Sequence, residues 1–269
     1  MQSNLKSKVH EFWNNESCGE SLYLKNNELE SYIDHSKERY KLEPFILSFV
    51  NFESTKGKKV LEIGVGLGAD HSHFAQAGAD LYGVDLTERA IQHTKRRFEL
   101  LGLSSQLSVG DAENLLFSNN TFDIVYSWGV LHHSPNTVKA INEVYRVLKP
   151  GGTAYIMIYH KWSLVGLMLW LRYALLIGKP FRSLETIYDL YLESPGTKAY
   201  STSEAKKIFK DFDFTKISIK LGHGDLLESN VGQRHRGIFL SLARKIWPRW
   251  LIKKLLPNAG LFMLIEAKK

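Results

Sequence analysis

The chain has 269 residues, 44% of them hydrophobic, which favours one domain with additions over two full domains. The single cysteine, Cys18, excludes an intrachain disulfide, and the absence of a secretory signal or of a run of roughly 18 apolar residues predicts a soluble, cytoplasmic protein. The net charge of +7 arises at the C-terminal end, where residues 234–269 hold nine Lys/Arg against one acid. Such a basic block is typical of a solvated helix face. The alternative is that it attracts phosphate, nucleic acid or an anionic membrane.

From residue 58 onward, short apolar runs alternate with longer helical stretches, as in a parallel sheet with helices on both faces. The predicted helices that separate the first strands are 69–78, 87–101 and 136–148. The predicted strands are 58–63, 81–85, 105–109, 122–127, 152–159, 214–220 and 261–268.

The domain is predicted to cover residues 58–269, preceded by a helical, aromatic-containing extension over residues 1–57. Two segments do not fit the alternating pattern and are interpreted as insertions, at about 161–210 and 221–260. The extension is also a candidate cover for a cofactor.

The strongest local signal lies where the first strand ends, in the glycines Gly64, Gly66 and Gly68. Glycines there let the backbone turn sharply and approach a ligand closely. Asp85 ends the second strand, where a carboxylate accepts hydrogen bonds from both hydroxyls of a ribose. These features predict a nucleotide-type cofactor, but dinucleotide-binding folds share them, since Gly64, Gly66 and Ala69 also match their fingerprint.

Three further features disfavour a dinucleotide. Glu62 precedes the first glycine by two residues, where a carboxylate suits the ammonium of an amino acid and repels a pyrophosphate. Gly68 adds a glycine that dinucleotide sites do not need. Asp111 and Ala112 follow the third strand, where a carboxylate can accept a hydrogen bond from the exocyclic amine of adenine.

Five motifs, in order along residues 58–159, resemble those of class I, Rossmann-like S-adenosylmethionine-dependent methyltransferases: LEIGVGLG, GVDLT, GDAENL, FDIVYSWGVLHH and EVYRVLKPGG. The subgroup that the motifs most resemble contains the ubiquinone and menaquinone biosynthesis methyltransferases. The resemblance implies an α/β fold with a seven-stranded, mostly parallel sheet and an antiparallel last strand. It implies S-adenosylmethionine as the cofactor, S-adenosylhomocysteine as the product, and a small-molecule acceptor. The cofactor-binding residues that it implies are Glu62, Gly64, Gly66, Gly68, Asp85, Leu86, Asp111, Ala112, Ser127 and Trp128.

Candidate catalytic residues follow the fourth strand. His132 or His133 could remove a proton from the acceptor, since imidazole titrates near neutral pH; shaping the pocket is the alternative role. Trp128 could lie beside the sulfonium through a cation–π contact or pack in the core. His71 and His73 are predicted to be surface residues, and no metal site is predicted.

Two segments bear on the acceptor. Residues 164–178 are apolar around nearly the whole helix and too short to span a bilayer, so they are a buried helix, a lid or a membrane-surface element. Residues 238–256 have a basic amphipathic composition. Together they suggest a hydrophobic or lipid-linked acceptor and peripheral contact with the inner face of a membrane.

Three other functions are alternatives. An RNA methyltransferase would fit the basic C-terminal block, but the chain lacks an RNA-binding appendage and the signature of base-amine methylation. An NAD-dependent oxidoreductase is disfavoured by Glu62 and Gly68, and a non-catalytic cofactor-binding module by the intact motifs. The sequence specifies neither the acceptor nor the oligomeric state.

Overall fold

The structure, a computed structural model, describes residues 2–228, 241 and 244–269. Its centre is a seven-stranded sheet in the order β3-β2-β1-β4-β5-β7-β6, in which only β7 runs antiparallel to its neighbours. The strands are β1 (Lys59–Ile63), β2 (Asp80–Asp85), β3 (Gln106–Val109), β4 (Phe122–Trp128), β5 (Leu148–Tyr159), β6 (Phe214–Lys220) and β7 (Phe262–Lys268). The predicted fold class is confirmed.

Helices cover both faces of the sheet. Those of the N-terminal extension are α1 (Gln2–Asn15), α2 (Glu20–Tyr23), α3 (Leu29–Leu42) and α4 (Ile46–Phe49). Those that follow are α5 (Ala69–Gln76), α6 (Glu88–Leu101), α7 (Thr137–Val147), α8 (Leu164–Trp170), α9 (Leu184–Tyr191), α10 (Thr202–Ile208) and α11 (Arg249–Leu255). Within the described ranges, no helix has the length and apolar character needed to cross a membrane.

The central strands are almost continuously apolar because helices bury both of their faces. In β1, Val60 belongs to one hydrophobic cluster, whereas Leu61 and Ile63 belong to the cluster on the opposite face. Strand order reverses between β1 and β4, which opens a crevice at the carboxyl ends of these strands.

Two elements differ from the predicted ones. The apolar segment 164–178 is not α-helical throughout: α8 covers Leu164–Trp170 and continues directly into a π-helical turn over Leu171–Leu175. The wider turn buries Ala174 and leaves Leu175 and Leu176 exposed. β5 begins at Leu148, four residues before the predicted start, because Leu148 already pairs with Phe122 ahead of a bulge.

Much of the second insertion is described, but residues 229–240 and 242–243 are not. The predicted basic amphipathic segment 238–256 therefore lies partly outside the described residues. Its described part contains α11, which packs on α8 through Ile252 and Leu164.

Candidate active site

A cavity of about 710 Å³ lies at the carboxyl ends of the parallel strands, where the loops after β1, β2, β3 and β4 meet. Most of the predicted site residues contribute to its wall. They are Glu62, Gly64, Gly66, Asp85, Leu86, Asp111, Ala112, Trp128 and His133. The order of the strands thus brings together residues that are as much as 71 positions apart in the sequence.

Three predicted residues do not line this cavity. Gly68 precedes α5 with a φ of 73°, and Thr94 packs against it. Ser127 is fully buried, and its hydroxyl donates to the carbonyl of Ile63 at 2.9 Å. His132 is also fully buried, behind His133. Ser127 alternates with Trp128 along β4, so its side chain points away from the cavity that Trp128 lines.

Asp85 faces the glycine loop. Its carboxylate accepts hydrogen bonds from the amide of Gly66 at 3.2 Å and from the amide and hydroxyl of Thr87 at 3.0 and 2.8 Å. Burial raises the pKa of Asp85, although these hydrogen bonds oppose the shift. Gly66 has a φ of 52° and no heavy atom within 4 Å of the position that a Cβ would take. The loop therefore offers bare backbone and open space beside a carboxylate, which fits the ribose of a nucleoside.

Glu62 is held by a histidine, and this corrects the prediction that His71 is a surface residue. His71 is fully buried; its Nδ1 lies 2.8 Å from Glu62 Oε2 and its Nε2 lies 2.7 Å from the hydroxyl of Ser105. Burial lowers the pKa of His71 to about 3, so the imidazole is neutral. Burial, with Asp70 nearby, raises the pKa of Glu62 well above its usual range. A cation bound beside Glu62 would favour its ionised form.

The N-terminal helix α1 covers the part of the cavity beside Asp111 and His133. Lys6 Nζ lies 2.6 Å from Asp111 Oδ2 and 3.1 Å from Glu113 Oε2. Val9 and Trp13 of the same helix line the cavity, and the Trp13 ring packs edge-on against His133. These contacts place the extension over the predicted adenine and catalytic positions.

A buried ion pair, which no sequence motif predicts, connects the extension to α5, the helix that follows the glycine loop. Arg39 donates two hydrogen bonds to Asp70, at 3.1 and 2.6 Å. The hydroxyls of Tyr40 and Tyr126 donate to the same carboxylate at 2.8 and 2.7 Å. Burial alone would raise the pKa of Asp70, but the charge of Arg39 and these hydrogen bonds lower it.

Trp128 has a polar partner that also comes from the extension. Its Nε1 donates to Glu43 at 3.0 Å, and its ring stacks on Phe45. Burial raises the pKa of Glu43 to about 7, while Arg39 opposes the shift. Arg39 and Glu43 both line the cavity. No local motif signals either residue, because Arg39 and Glu43 lie 25 and 21 residues before Gly64 and act through tertiary contacts.

The end of the cavity away from Asp85 and Asp111 is mainly apolar. Its wall includes Met157, Leu169, Leu192, Leu261 and Phe262. Glu193 is a charged residue in the same wall, and it comes from the first insertion. An apolar molecule with one polar reacting group fits such a wall.

His132, His133 and Glu193 each place one potential metal-ligating atom within 4.8 Å of the other two. Their atoms are already engaged in part, since Glu193 accepts a hydrogen bond from Tyr159 and His133 Nδ1 lies beside two hydroxyls. Hydrogen bonds within the protein therefore already engage Glu193 and Nδ1 of His133.

Comparison with known proteins agrees with this geometry. Residues 61–156 match the family model described as a methyltransferase domain. The phthiotriol/phenolphthiotriol dimycocerosates methyltransferase of Mycobacterium leprae is 39% identical over 98 residues, 36% of this chain and 36% of that protein. The sterol 24-C-methyltransferase of Pneumocystis carinii is 36% identical over 100 residues, 36% of this chain and 26% of that protein. The chain thus matches well under half of the length of these relatives.

Among solved structures, phosphoethanolamine N-methyltransferase 2 of Haemonchus contortus, in complex with S-adenosylhomocysteine, superimposes with a TM-score of 0.58. The alignment covers 85% of this chain and 52% of that chain at 19% identity, so the likeness is one of fold. The comparisons do not address the ubiquinone and menaquinone subgroup, which stays a prediction. Residues 61–156 match a methyltransferase domain, and the chain around them has the fold of the class I, S-adenosylmethionine-dependent methyltransferases.

Proposed function

We propose that the protein transfers the methyl group of S-adenosylmethionine to an apolar small molecule. The observation that carries this proposal is the convergence of Asp85, the bare glycine loop at Gly66, and Glu62 at one end of the cavity. Asp85 suits a ribose, the glycine loop suits a methionine backbone, and Glu62 suits an ammonium group.

The charge of the cavity favours a cationic nucleoside over a dinucleotide. The carboxylates in its described wall are Glu43, Glu62, Asp70, Asp85, Asp111, Glu193 and Asp225. The lysines and arginines in the same wall are Lys6, Arg39 and Arg172. Burial raises the pKa of Glu43, Glu62 and Asp85; a bound sulfonium and ammonium would favour their ionised forms, whereas a pyrophosphate would oppose them.

Each residue then has a binding role. S-adenosylmethionine supplies an electrophilic methyl group on a positively charged sulfur. Asp85 accepts the ribose hydroxyls, Asp111 with Ala112 receives the adenine, and Glu62, held by His71, accepts the ammonium. Arg39 supplies positive charge for the methionine carboxylate, and α1 excludes water above the adenine.

The apolar end of the cavity supports an apolar acceptor, as does the match to a sterol methyltransferase. A transfer assay tests the proposal. Purified protein with S-adenosylmethionine carrying a tritiated methyl group is incubated with a lipid extract, with total RNA or with neither. We expect label in the organic phase only. Label in RNA, or none above the Asp85→Ala variant, would refute the proposal.

We also propose that the acceptor enters from an anionic membrane surface. Leu171 and Leu176 line the cavity and are also exposed, so the cavity opens at an apolar surface. Around this opening and on the neighbouring α11, large apolar side chains are exposed, including Phe181 at 99%, Leu176 at 79% and Trp250 at 71%. A patch of this kind is characteristic of an interaction site.

Basic residues accompany this apolar surface. The exposed lysines and arginines on the two insertions include Arg172, Lys179, Lys245, Lys253 and Lys254. Exposed apolar side chains beside lysines and arginines match the interface of an anionic bilayer. These features support the proposal that the protein works at the inner face of a membrane.

Flotation with vesicles tests the membrane proposal. We expect the protein to float with vesicles of phosphatidylcholine and phosphatidylglycerol, less so with phosphatidylcholine alone, and the Leu176→Ser/Phe181→Ser variant to stay at the bottom. The matched control is Leu116→Ser, because Leu116 is 88% exposed but lies outside both insertions. Equal flotation of the double variant and the control would refute the proposal.

A further inference from the structure

Two adjacent histidines and one carboxylate meet at the apolar end of the cavity. His132 and His133 belong to the short 3-10 turn after β4, and Glu193 follows α9 in the first insertion. His133 and Glu193 line the cavity, and the ring of His132 lies behind that of His133 with centroids 4.2 Å apart. Glu193 lies 60 residues after His133 in the chain, so no local spacing in the sequence signals the group.

Hydrogen bonds within the protein do not account for the burial of His132. Its side chain is fully buried, and neither of its ring nitrogens has a hydrogen-bond partner among the described residues. His71 is equally buried, but Glu62 and Ser105 engage both of its nitrogens. A buried polar group without a partner costs about 1–3 kcal/mol, so buried imidazoles are normally hydrogen-bonded or bound to a ligand. The lone pair of His132 therefore points to a ligand.

His133 is oriented by hydroxyl groups on one side of its ring. Its Nδ1 lies 2.9 Å from Ser194 Oγ and 3.1 Å from Thr197 Oγ1. The Thr197 hydroxyl donates its own proton to the carbonyl of Ser194 at 2.6 Å, so its oxygen faces Nδ1 as an acceptor. This arrangement favours a proton on Nδ1 and a lone pair on Nε2. A histidine that binds a metal is usually held in this way, by a hydrogen bond from its other nitrogen.

The lone pair on His133 Nε2 faces a carboxylate oxygen. Nε2 lies 3.3 Å from Glu193 Oε2, and the hydroxyl of Tyr159 donates to the same oxygen at 2.7 Å. Two atoms that accept hydrogen bonds repel each other at this distance unless a positive charge lies between them. Ligand atoms roughly 2.0–2.1 Å from one tetrahedral ion are about 3.3–3.4 Å apart. The spacing of Nε2 and Oε2 therefore matches that of two ligands of one ion.

The types of ligand atom select the class of ion. One nitrogen of each histidine and one oxygen of Glu193 lie within 4.8 Å of one another, so small side-chain rotations bring the three atoms to ligand spacing. Two imidazoles and one carboxylate suit zinc and its neighbouring divalent transition metals, whereas magnesium and calcium prefer oxygen ligands alone. Three protein ligands leave a further coordination position for a molecule in the cavity.

We propose that His132, His133 and Glu193 bind one divalent transition-metal ion of the zinc type at the apolar end of the cavity. The site goes beyond the proposed methyl transfer, and binding of the ion does not depend on it. A proton shared by His133 and Glu193 would balance the same two lone pairs, but it would leave His132 without a partner. A metal ion engages all three residues.

The test uses Co²⁺, because its visible absorption reports the number and kind of its ligands. Full-length protein without a histidine tag is stripped with a chelator and titrated with Co²⁺. We expect saturation at one ion per chain, with the intense absorption of a four- or five-coordinate ion, and displacement by Zn²⁺. Affinity should fall about 100-fold or more in Glu193→Gln and in His132→Phe. The control His10→Gln should bind as the wild type, because His10 pairs with Glu88 away from the cavity.

His132→Phe also separates metal binding from folding. The ring of His132 packs on Tyr159 with centroids 4.0 Å apart, and phenylalanine keeps an aromatic ring there without the two polar nitrogens. Without metal, the variant should melt at or above the temperature of the wild type. With Zn²⁺, only the wild type and His10→Gln should gain stability. No Co²⁺ absorption in the wild type, or equal absorption in His132→Phe, would overturn the inference. Neither result bears on the proposed function, since the titration contains no S-adenosylmethionine.

Discussion

The Asp85 carboxylate accepts a hydrogen bond from the Gly66 amide at 3.2 Å, so the end of β2 is tied to the loop that follows β1. The two residues belong to different predicted motifs, yet together they form one wall of the cavity. This contact defines the floor on which a ribose would lie, and cofactor affinity is expected to depend on both residues.

Replacing Asp85 with alanine removes the acceptor for the ribose hydroxyls. Hydrogen bonds to a charged group contribute about 1.5–3 kcal/mol, so affinity for S-adenosylhomocysteine should fall roughly 10- to 100-fold. Isothermal titration calorimetry measures the change. Asp80→Ala, at the opposite end of the same strand, is the control and should bind as the wild type. Equal affinities of the two variants would contradict the role of Asp85.

Gly66→Ala separates ligand binding from backbone strain. Gly66 and Gly102 both have positive φ, 52° and 64°, and an added Cβ would meet nothing within 4 Å at either. Each alanine should therefore cost about 1–2 kcal/mol of stability through the left-handed conformation alone. Only Gly66 lines the cavity, so only Gly66→Ala should also weaken cofactor binding. Thermal unfolding with and without S-adenosylhomocysteine distinguishes the loss of stability from the loss of binding. A similar rise in melting temperature with ligand in both variants would contradict a cofactor site at Gly66.

The Arg39–Asp70 pair should contribute strongly to stability. Asp70 is buried, and Asp70→Asn leaves Arg39 with only the longer contact to Glu43, at 3.6 Å, so the expected cost is about 3 kcal/mol, at the lower end of the range for broken buried pairs. Asp34→Asn is the control, because Asp34 is 51% exposed in its pair with Lys37 and the pair contributes about 1 kcal/mol or less. Urea unfolding followed by tryptophan fluorescence measures both, and a similar small loss in each would show that the pair is not structural.

The same pair gives a pH dependence with a defined sign. The pKa of Asp70 is lowered in the folded protein, so its contribution is present above the ordinary carboxyl pKa and disappears as the pH falls through the lowered value. The free energy of unfolding of the wild type should therefore decline more steeply below about pH 4 than that of Asp70→Asn. Parallel declines would contradict the lowered pKa.

Cys18 should react slowly with thiol reagents although part of its surface is accessible. Cys18 lines the cavity. Burial raises the pKa of its thiol to about 12, and the charge of Glu193 adds to the shift. Because the thiolate is the reactive form, reaction with Ellman's reagent at neutral pH should be about 100- to 1,000-fold slower than in urea-unfolded protein. Free glutathione in both solvents is the control for the reagent, and comparable rates in folded and unfolded protein would contradict the raised pKa of Cys18.

The sequence predicts the sheet well because its signals are local. Strand β6 has the predicted bounds, and β1 and β2 each differ from their predictions by one residue, since apolar runs bounded by glycine, proline and polar residues mark buried strands directly. The placement of Asp85 and Asp111 at one edge also follows from strand order alone. Ser127 and His132 were less predictable, because the direction in which a side chain points at the end of a strand depends on the local turn.

Other parts of the site depend on long-range packing. No local pattern signals the burial of His71, because the burial depends on Glu62 and Ser105, which satisfy both ring nitrogens. Arg39 reaches the cavity from the extension, and Glu193 reaches it from the first insertion. Neither residue belongs to a motif with a fixed spacing to the glycine loop, so only the folded chain brings them to the site.

Equilibrium binding of S-adenosylhomocysteine and NAD to the full-length protein tests the central claim most directly. Calorimetric titration should show saturable one-to-one binding of S-adenosylhomocysteine, weakened in Asp85→Ala and unchanged in Asp80→Ala, and no heat of binding with NAD. Binding of NAD in preference to S-adenosylhomocysteine, or binding of neither, would contradict it.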